Sequence, residues 1–178
     1  MGFNPRKDFN PRTVIKQNDR VALATHEWMA NTYSQCFYHI VFSTKARTRS
    51  ISTEIEQRIW AYIGGILKNH NMIALQIGGI EDHIHVLILA RPTNSPSQIA
   101  QLIKGESSKW IHEEFPQMKT FAWQDGYAVF TVSKSVVPKV VEYIKDQREH
   151  HAKKTFEDEY VELLKLHDVE YNEQYLFG

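Results

Sequence analysis

Strand and helix signals alternate along this chain in an order that restricts its fold more than any other feature of the sequence. Runs rich in β-branched and aromatic residues predict strands at 36–44, 72–80 and 83–90, and one or two more within 120–133. Apolar residues at helical spacing predict helices from Ser52 to Asn71 and over 95–115, 135–154 and 155–169. The order β-α-β-β-α-β-α predicts an α+β fold, a ferredoxin-like (RRM-like) antiparallel sheet with two helices on one face.

Charge divides the chain into a basic body and an acidic tail. Residues 1–154 hold 20 Lys and Arg against 14 Asp and Glu, whereas residues 155–178 hold one against seven. Residues 1–28 are polar and show no clear period, so we expect a poorly ordered N-terminal extension. After this extension we expect a single domain over 29–154 and an acidic C-terminal helix or tail over 155–178. The basic body can bind a polyanion although the net charge of the whole chain is zero.

Cysteine content and hydropathy indicate the cellular compartment of the chain. Cys36 is the one cysteine in the sequence, so an internal disulfide cannot form and a reducing cytoplasm is the expected compartment. The sequence lacks an apolar run approaching the ~20 residues that span a bilayer, so we expect no membrane partner.

Two histidines stand at the head of the apolar run HIHVLILA. Side chains alternate faces along a strand, so His83 and His85 share one face while Ile84 points to the other. That arrangement suits a divalent metal, because imidazole binds transition metals and accepts mixed nitrogen and oxygen partners. It equally suits two strand histidines without a shared role. Asp82, directly before the pair, could orient an imidazole or bind the metal weakly.

The segment VVEYIKDQREHH offers partners for such a metal. At helical spacing, Tyr143, Gln147 and either His150 or His151 fall on one face. A Tyr can supply a phenolic nucleophile and a Gln can donate its amide oxygen to a metal, although a packed Tyr beside a solvated polar stripe is the alternative. Tyr127, a rival nucleophile, has apolar neighbours that favour burial.

The two segments together fit one chemistry. A cation held by two His and a Gln would polarise a phosphodiester, and a Tyr beside it would attack phosphorus. The resulting phosphotyrosine preserves the bond energy for a second strand transfer, which suits DNA rejoining better than hydrolysis.

Basic residues of the body are the candidates for phosphate contacts. A dense group after the first strand consists of Lys45, Arg47 and Arg49, which Arg91, Lys104 and Lys109 could extend. Ordinary solvated charge is the alternative for any one of them.

The motif DHIHVLI resembles the His-hydrophobic-His motif of the HUH nucleases. Over about residues 33–153, five segments in order resemble the small single-tyrosine HUH transposases of insertion sequences that move as single-stranded DNA: FYHIVFSTKARTRSI, GGIEDHIHVLILARP, IKGESSKWIHEEFP, FAWQDGYAVFTVSKS and YIKDQREHH.

The resemblance implies an HUH endonuclease core, Mg²⁺ or Mn²⁺, single-stranded DNA with hairpin ends, and an obligate homodimer. By this resemblance, His83 and His85 correspond to the family's metal-binding pair, Gln147 to the third ligand, and Tyr143 to the nucleophile that forms a 5′-phosphotyrosine. Family members often place the tyrosine helix of one subunit against the metal pair of the other. Two alternatives remain: an HUH nickase of replication or conjugation, and a catalytically silent ferredoxin-like repressor that binds hairpin DNA or RNA.

Overall fold

The computed structural model describes residues 33–176, and the expectation for residues 1–28 lies outside this range. The elements are β1 (Cys36–Ser43), α1 (Glu56–Asn69), β2 (Ile73–Ile80), β3 (His83–Ala90), α2 (Pro96–Glu114), β4 (Ala128–Thr131), α3 (Val137–Lys145), α4 (Gln147–His151) and α5 (Phe156–Leu166). Among the helices of this range, none is long and apolar enough to cross a bilayer.

The four strands form one antiparallel sheet in the order β2-β3-β1-β4. This is the predicted ferredoxin-like arrangement, in which each helical crossover is followed by a strand that joins the same sheet. The register of β1 against β3 pairs Ser43 with His83 and Cys36 with Ala90. The head of β3, where both histidines stand, therefore lies beside the end of β1 and the basic segment that follows it.

Helices α1 and α2 cover one face of the sheet, as predicted. Ser95 caps α2 with a reciprocal capping box to Gln98, and Pro96 occupies the first turn, where its missing N–H costs nothing. The apolar stripes of both helices close over the alternate strand residues that point this way, and the buried side chains include Ile40, Phe42, Ile59, Ile63, Ile84, Val86, Ile99 and Ile103.

The opposite face of the sheet carries the histidines and the C-terminal helices. A second buried cluster joins this face to α5, and it consists of Val41, Ala128, Phe130, Phe156, Tyr160 and Leu164. Phe156, Tyr160 and Leu164 stand one helical turn apart, so they form a single stripe that fixes α5 against β1 and β4. The acidic segment therefore contributes a packed layer of the fold.

Two elements differ from the sequence prediction. The helix predicted over 135–154 breaks at Asp146, whose ψ of 17° departs from helical geometry, so that α3 and α4 are separate. Within 120–133, only Ala128–Thr131 forms a regular strand. The aromatic residues that suggested an earlier strand, Phe121 and Trp123, instead fill the core from a loop, and Trp123 makes one isolated bridge to Thr44.

Candidate active site

His83 and His85 lie side by side on the sheet face covered by α3–α5, and both side chains are fully buried. Their ring centroids are 5.2 Å apart. The His83 ring also stacks on the Phe156 ring, with centroids 4.3 Å apart, so α5 covers one side of the histidine pair.

His83 is oriented by its neighbour in sequence. Its Nδ1 lies 2.8 Å from Oδ1 of Asp82, which fixes the proton on Nδ1 and turns the Nε2 lone pair inward. Burial opposes ionisation of Asp82, but the hydrogen bond and charge interaction with His83 outweigh burial and lower the carboxyl pKa. Asp82 therefore has the orienting contact expected of it.

His85 has a partner that sequence analysis did not single out. Its Nδ1 lies 2.9 Å from Nε2 of the buried His39 on β1. Burial and the neighbouring His85 hold the pKa of His39 well below its ordinary value, so His39 stays neutral. Burial likewise lowers the pKa of His85 against the opposing charge of Glu159.

Tyr143 and Gln147 reach the histidines from the same chain despite the helix break. The Tyr143 ring meets the His85 ring edge-on, with centroids 5.7 Å apart. Gln147 is buried, and its Oε1 lies 3.0 Å from His83 Nε2. The structure therefore brings together the four residues that the sequence proposes as nucleophile and metal ligands.

The close approach of α3 to the sheet depends on Gly78 in β2. A Cβ added at this position would lie 2.5 Å from the carbonyl oxygen of Ile144. That separation is far below van der Waals contact, so only glycine admits the helix backbone here. Gly78 thereby sets the height of Tyr143 above β3.

Glu159 on α5 places a carboxylate at the centre of the site, and it was not among the predicted residues. Its side chain is 1% exposed. Its Oε1 accepts hydrogen bonds from the Tyr143 hydroxyl and, at 3.0 Å, from Gln147 Nε2. Its Oε2 lies 3.0 Å from His151 Nε2 and 3.4 Å from His85 Nε2.

These contacts shift the pKa values of both Glu159 and Tyr143. Burial raises the pKa of Glu159, but His85, His151 and Tyr143 outweigh it and lower the pKa far below the ordinary value. Burial, reinforced by the Glu159 carboxylate, raises the pKa of Tyr143 far above 10.0. The resting site therefore holds a carboxylate against a neutral phenol.

The arrangement is compatible with a bound metal ion. His83, His85 and Glu159 each offer a ligand atom, and these atoms lie within 4.8 Å of one another. Because Asp82 fixes the proton of His83 on Nδ1, the facing atoms Nε2 of His83 and Oε1 of Gln147 are both acceptors, 3.0 Å apart. Two acceptors at this distance need a shared proton or a cation between them.

The signals for the missed residues were present but weak. Glu159 interrupts the apolar stripe of α5, lying three residues after Phe156 and directly before Tyr160. His39 shares its strand face with Phe37 and Val41, both buried. His151, one of the two histidines weighed beside Gln147, donates Nδ1–H to the Lys154 carbonyl at 2.8 Å and so also turns Nε2 toward the site.

Tyr127, the rival nucleophile, lies on the wrong face of the sheet. It packs against the cluster under α1 and α2, with the Lys104 ammonium 5.6 Å from its ring centroid. The histidine pair faces the other way, so the geometry favours Tyr143.

An open cavity of about 490 Å³ lies beside the site and is partly basic. Its lining includes Arg47, Arg49, Lys153 and Lys154, together with Asp82 and His151 from the site itself. Arg47 pairs with Glu157 and Arg49 with Glu81 across exposed or half-exposed contacts. Exposed pairs of this kind are worth little, so a phosphate could replace the carboxylate partners.

The other three basic residues do not extend this group. Arg91 follows Ala90, at the opposite end of β3 from His83. Lys104 and Lys109 stand on α2, which covers the other face of the sheet. The Lys104 ammonium donates to the carbonyls of Gln124, Asp125 and Gly126, so it already secures a loop. A role for these three in DNA contact stays a prediction.

Comparison with known proteins gives a consistent family. Residues 32–147 match the family model described as "Transposase IS200 like". The chain is 32% identical over 126 residues to the transposase of insertion sequence element IS200 from Salmonella typhimurium, covering 68% of this chain and 82% of that protein. It is 22% identical over 120 residues to the ISDra2 transposase TnpA of Deinococcus radiodurans, covering 65% of this chain and 86% of the relative.

Two solved structures share the fold. A crystal structure of a transposase from Deinococcus radiodurans has a TM-score of 0.57 at 22% identity, covering 67% of this chain and 95% of that one. A REP-associated tyrosine transposase bound to a REP hairpin has a TM-score of 0.52 at 15% identity, covering 69% of this chain and 73% of that one.

Proposed function

The chain belongs to the family of IS200-like transposases, and on that premise we propose that it cleaves and rejoins single-stranded DNA at insertion-sequence ends through a 5′-phosphotyrosine on Tyr143. One observation carries the proposal. The Tyr143 ring lies 5.7 Å from that of His85 in a buried site that also holds His83 and Gln147.

In the proposed reaction, the Tyr143 oxygen attacks the scissile phosphorus. A Tyr–O–P bond forms, and the bond from phosphorus to the 3′ oxygen of the upstream strand breaks. The phenol loses its proton and the departing oxygen gains one to become a 3′ hydroxyl, so that no net proton is released. Rejoining reverses the step when a 3′ hydroxyl attacks the phosphotyrosine. The bond energy is kept in the ester, so strand transfer needs no further energy source.

We propose that His83, His85 and Gln147 hold Mg²⁺ or Mn²⁺ for this step. When bound, the ion would withdraw charge from a non-bridging phosphate oxygen. His83 Nε2 and Gln147 Oε1, which face each other at 3.0 Å, are two of the atoms that would hold the ion.

We further propose that the DNA strand enters through the cavity beside the site. Lys45, Arg47 and Arg49 follow β1 at its end next to His83, and Lys153 and Lys154 line the same opening. The structural relative bound to a REP hairpin supports a hairpin as the DNA form. Arg91, Lys104 and Lys109, on other surfaces, would contact more distant parts of the DNA.

A denaturing gel tests the proposal. The protein is incubated with Mn²⁺ and a labelled pool of single-stranded hairpin oligonucleotides, and a covalent protein–DNA band is expected. Tyr143→Phe, which keeps the ring and removes the hydroxyl, should give no band while still binding the hairpins. Tyr127→Phe is the matched control and should give the wild-type band. An undiminished band from Tyr143→Phe, or none from the wild type, would reject the proposal.

A further inference from the structure

Helix α5 lies outside residues 32–147, the part of the chain that matches the family. Even so, its Glu159 contacts Tyr143, Gln147, His85 and His151 in the site. A buried carboxylate is costly unless it is paired or coordinates a metal. Glu159 is paired, but the proposed cleavage reaction does not yet assign it a function.

Lone pairs converge on one point between the sheet and the C-terminal helices. Nδ1–H of His83 donates to Asp82 and Nδ1–H of His151 donates to the Lys154 carbonyl, so Nε2 of both rings faces inward and is available as a ligand atom. Oε1 of Gln147 lies 3.0 Å from the first and 3.1 Å from the second. Gln147 presents Oε1 to both rings, because its Nε2 points to the Glu159 carboxylate and donates to it.

Glu159 Oε2 faces the same point. It lies 3.0 Å from His151 Nε2, 3.4 Å from His85 Nε2 and 3.8 Å from His83 Nε2. His85 Nε2 is buried and has no aligned hydrogen bond to any described residue. A cation at this point would satisfy every one of these atoms at once, whereas one proton could serve only two of them.

The second oxygen of Glu159 has a different partner. Oε1 accepts the hydrogen bond of the Tyr143 hydroxyl, so one carboxylate connects the nucleophile with the point where the lone pairs meet. We infer that Glu159 coordinates the metal of the proposed site through Oε2 and holds the Tyr143 hydroxyl beside it through Oε1, which makes α5 part of the active centre. This inference rests on the proposed function and adds a bridging residue to it.

The packing of α5 supports a fixed position for Glu159. Phe156 and Tyr160, which flank it on the helix, are both in the buried cluster with Val41 and Phe130. Thr155 caps the helix by accepting from the Asp158 N–H at 3.2 Å. A helix anchored on both sides of its carboxylate is suited to hold a ligand atom in place.

A competing interpretation is that Glu159 occupies the place of the scissile phosphate. A carboxylate that contacts both the histidines and the Tyr143 hydroxyl would then exclude DNA until α5 moves away. The two interpretations predict opposite results when the charge is removed. Loss of a ligand weakens metal binding, whereas loss of a competitor leaves metal binding intact and speeds cleavage.

Calorimetric titration of the full chain with Mn²⁺, without DNA, distinguishes the two interpretations of Glu159. Glu159→Gln keeps the size of the side chain and removes the charge. Its Kd for Mn²⁺ should rise at least on the order of 10- to 100-fold, the usual cost of losing even an outer partner of a metal ligand. Glu159→Asp keeps a carboxylate on a shorter side chain, and its Kd for Mn²⁺ should lie between those of wild type and Glu159→Gln. Glu162→Gln is the control, because Glu162 stands on the same helix, is exposed and pairs with Lys154.

The bridging contact needs its own measurement. Glu159→Ala at saturating Mn²⁺ should form the covalent adduct at least about tenfold more slowly than wild type, a loss that misplacing a reacting group can produce. Thermal unfolding of each variant checks that the loss does not come from an unfolded protein. Gly65→Ala on α1, whose added Cβ would meet nothing within 4 Å, is the control here and should match wild type.

Either of two outcomes would overturn the inference. Equal Mn²⁺ affinity of Glu159→Gln and wild type would show that Glu159 is not a ligand, and faster adduct formation in addition would identify it as a competitor of phosphate. Wild type that binds no Mn²⁺ would also overturn it. An adduct on Tyr143 in any of these cases leaves the proposed transposase reaction standing, so the two failures are distinguishable.

Discussion

At the scale of single residues, the contact between His39 and His85 decides which nitrogen of His85 faces the site. A neutral imidazole carries one proton, so His85 presents a lone pair at Nε2 only if its Nδ1–H donates to His39. His39 must then accept through its own Nε2, 2.9 Å away. The partner of a metal ligand thus selects the tautomer that can bind metal.

Removing this acceptor should weaken metal binding without removing a ligand. We expect His39→Phe to raise the Kd for Mn²⁺ by on the order of 10- to 100-fold, the usual effect of losing such a partner. His39→Gln, whose amide oxygen can accept from His85, should recover part of the affinity. Calorimetry on the two variants makes the comparison; His39→Phe with wild-type affinity would show that His85 does not depend on His39.

The same buried groups should make the metal-free protein sensitive to acid. The pKa values of His39 and His85 are lowered from 6.5 in the folded state, so the unfolded chain takes up protons first as the pH falls. Stability is then lost as the pH falls through about 6.5, by up to about 1.4 kcal/mol per pH unit for each histidine. The pKa of His151 is raised, because its contacts with Glu159 outweigh its burial, so its stabilising contribution grows as the pH falls toward 6.5 and is already complete below that value.

Below about pH 6.5 the lowered pKa values of His39 and His85 therefore cause a loss of stability, and the lowered pKa of Glu159 adds to the loss below about 4.5. We expect Tm, measured with EDTA present, to fall between pH 7 and pH 5. The fall of Tm per pH unit should be smaller in His39→Phe. A Tm that is unchanged or higher at pH 5 would contradict the assigned charge states.

At the scale of elements, the approach of α3 to β2 sets the position of the nucleophile. An alanine Cβ at Gly78 would stand 2.5 Å from the Ile144 carbonyl oxygen, so the helix that carries Tyr143 must move. We expect Gly78→Ala to slow adduct formation at least about tenfold while hairpin binding remains, because small misplacements of a reacting group are costly.

A matched control for this change exists on α1. A Cβ at Gly65 would meet nothing within 4 Å, so Gly65→Ala should keep wild-type activity and, by helix propensity, add up to about 1 kcal/mol of stability. Equal activity of Gly78→Ala and Gly65→Ala would show that the height of α3 does not control the reaction.

The elements also show where sequence reasoning succeeded and where it stopped. Strand alternation was enough to put His83 and His85 on one face, because that period is local. Helical spacing related Tyr143 to Gln147, although it missed the break at Asp146. Glu159 could not be found in this way, since its distance from His83 depends on how α5 packs on β1 and β4. His39 required the register of β1 against β3, which no local pattern specifies.

At the scale of the whole molecule, the proposed site is complete within one chain. Tyr143, Gln147 and Glu159 reach His83 and His85 without a second subunit. A homodimer, which the resemblance to HUH transposases implies, remains a proposal, and composite sites between subunits are not needed to explain these contacts.

A mixing experiment tests this arrangement. Tyr143→Phe and His83→Ala should each be inactive, and a mixture of the two should remain inactive, because every chain then lacks one part of its own site. The denaturing gel gives the readout, with wild type mixed with Tyr143→Phe as the control for subunit exchange. Restored activity in the double mixture would show that the tyrosine of one subunit serves the histidines of another.

The measurement that tests the account most directly is the mapping of the covalent adduct. Wild-type protein is reacted with hairpin DNA and Mn²⁺, digested with nuclease and protease, and analysed by mass spectrometry for the peptide that retains a nucleotide. We predict the nucleotide on Tyr143, in the segment VVEYIK. A nucleotide on Tyr127, in the segment DGYAVF, or on any other residue would contradict the account.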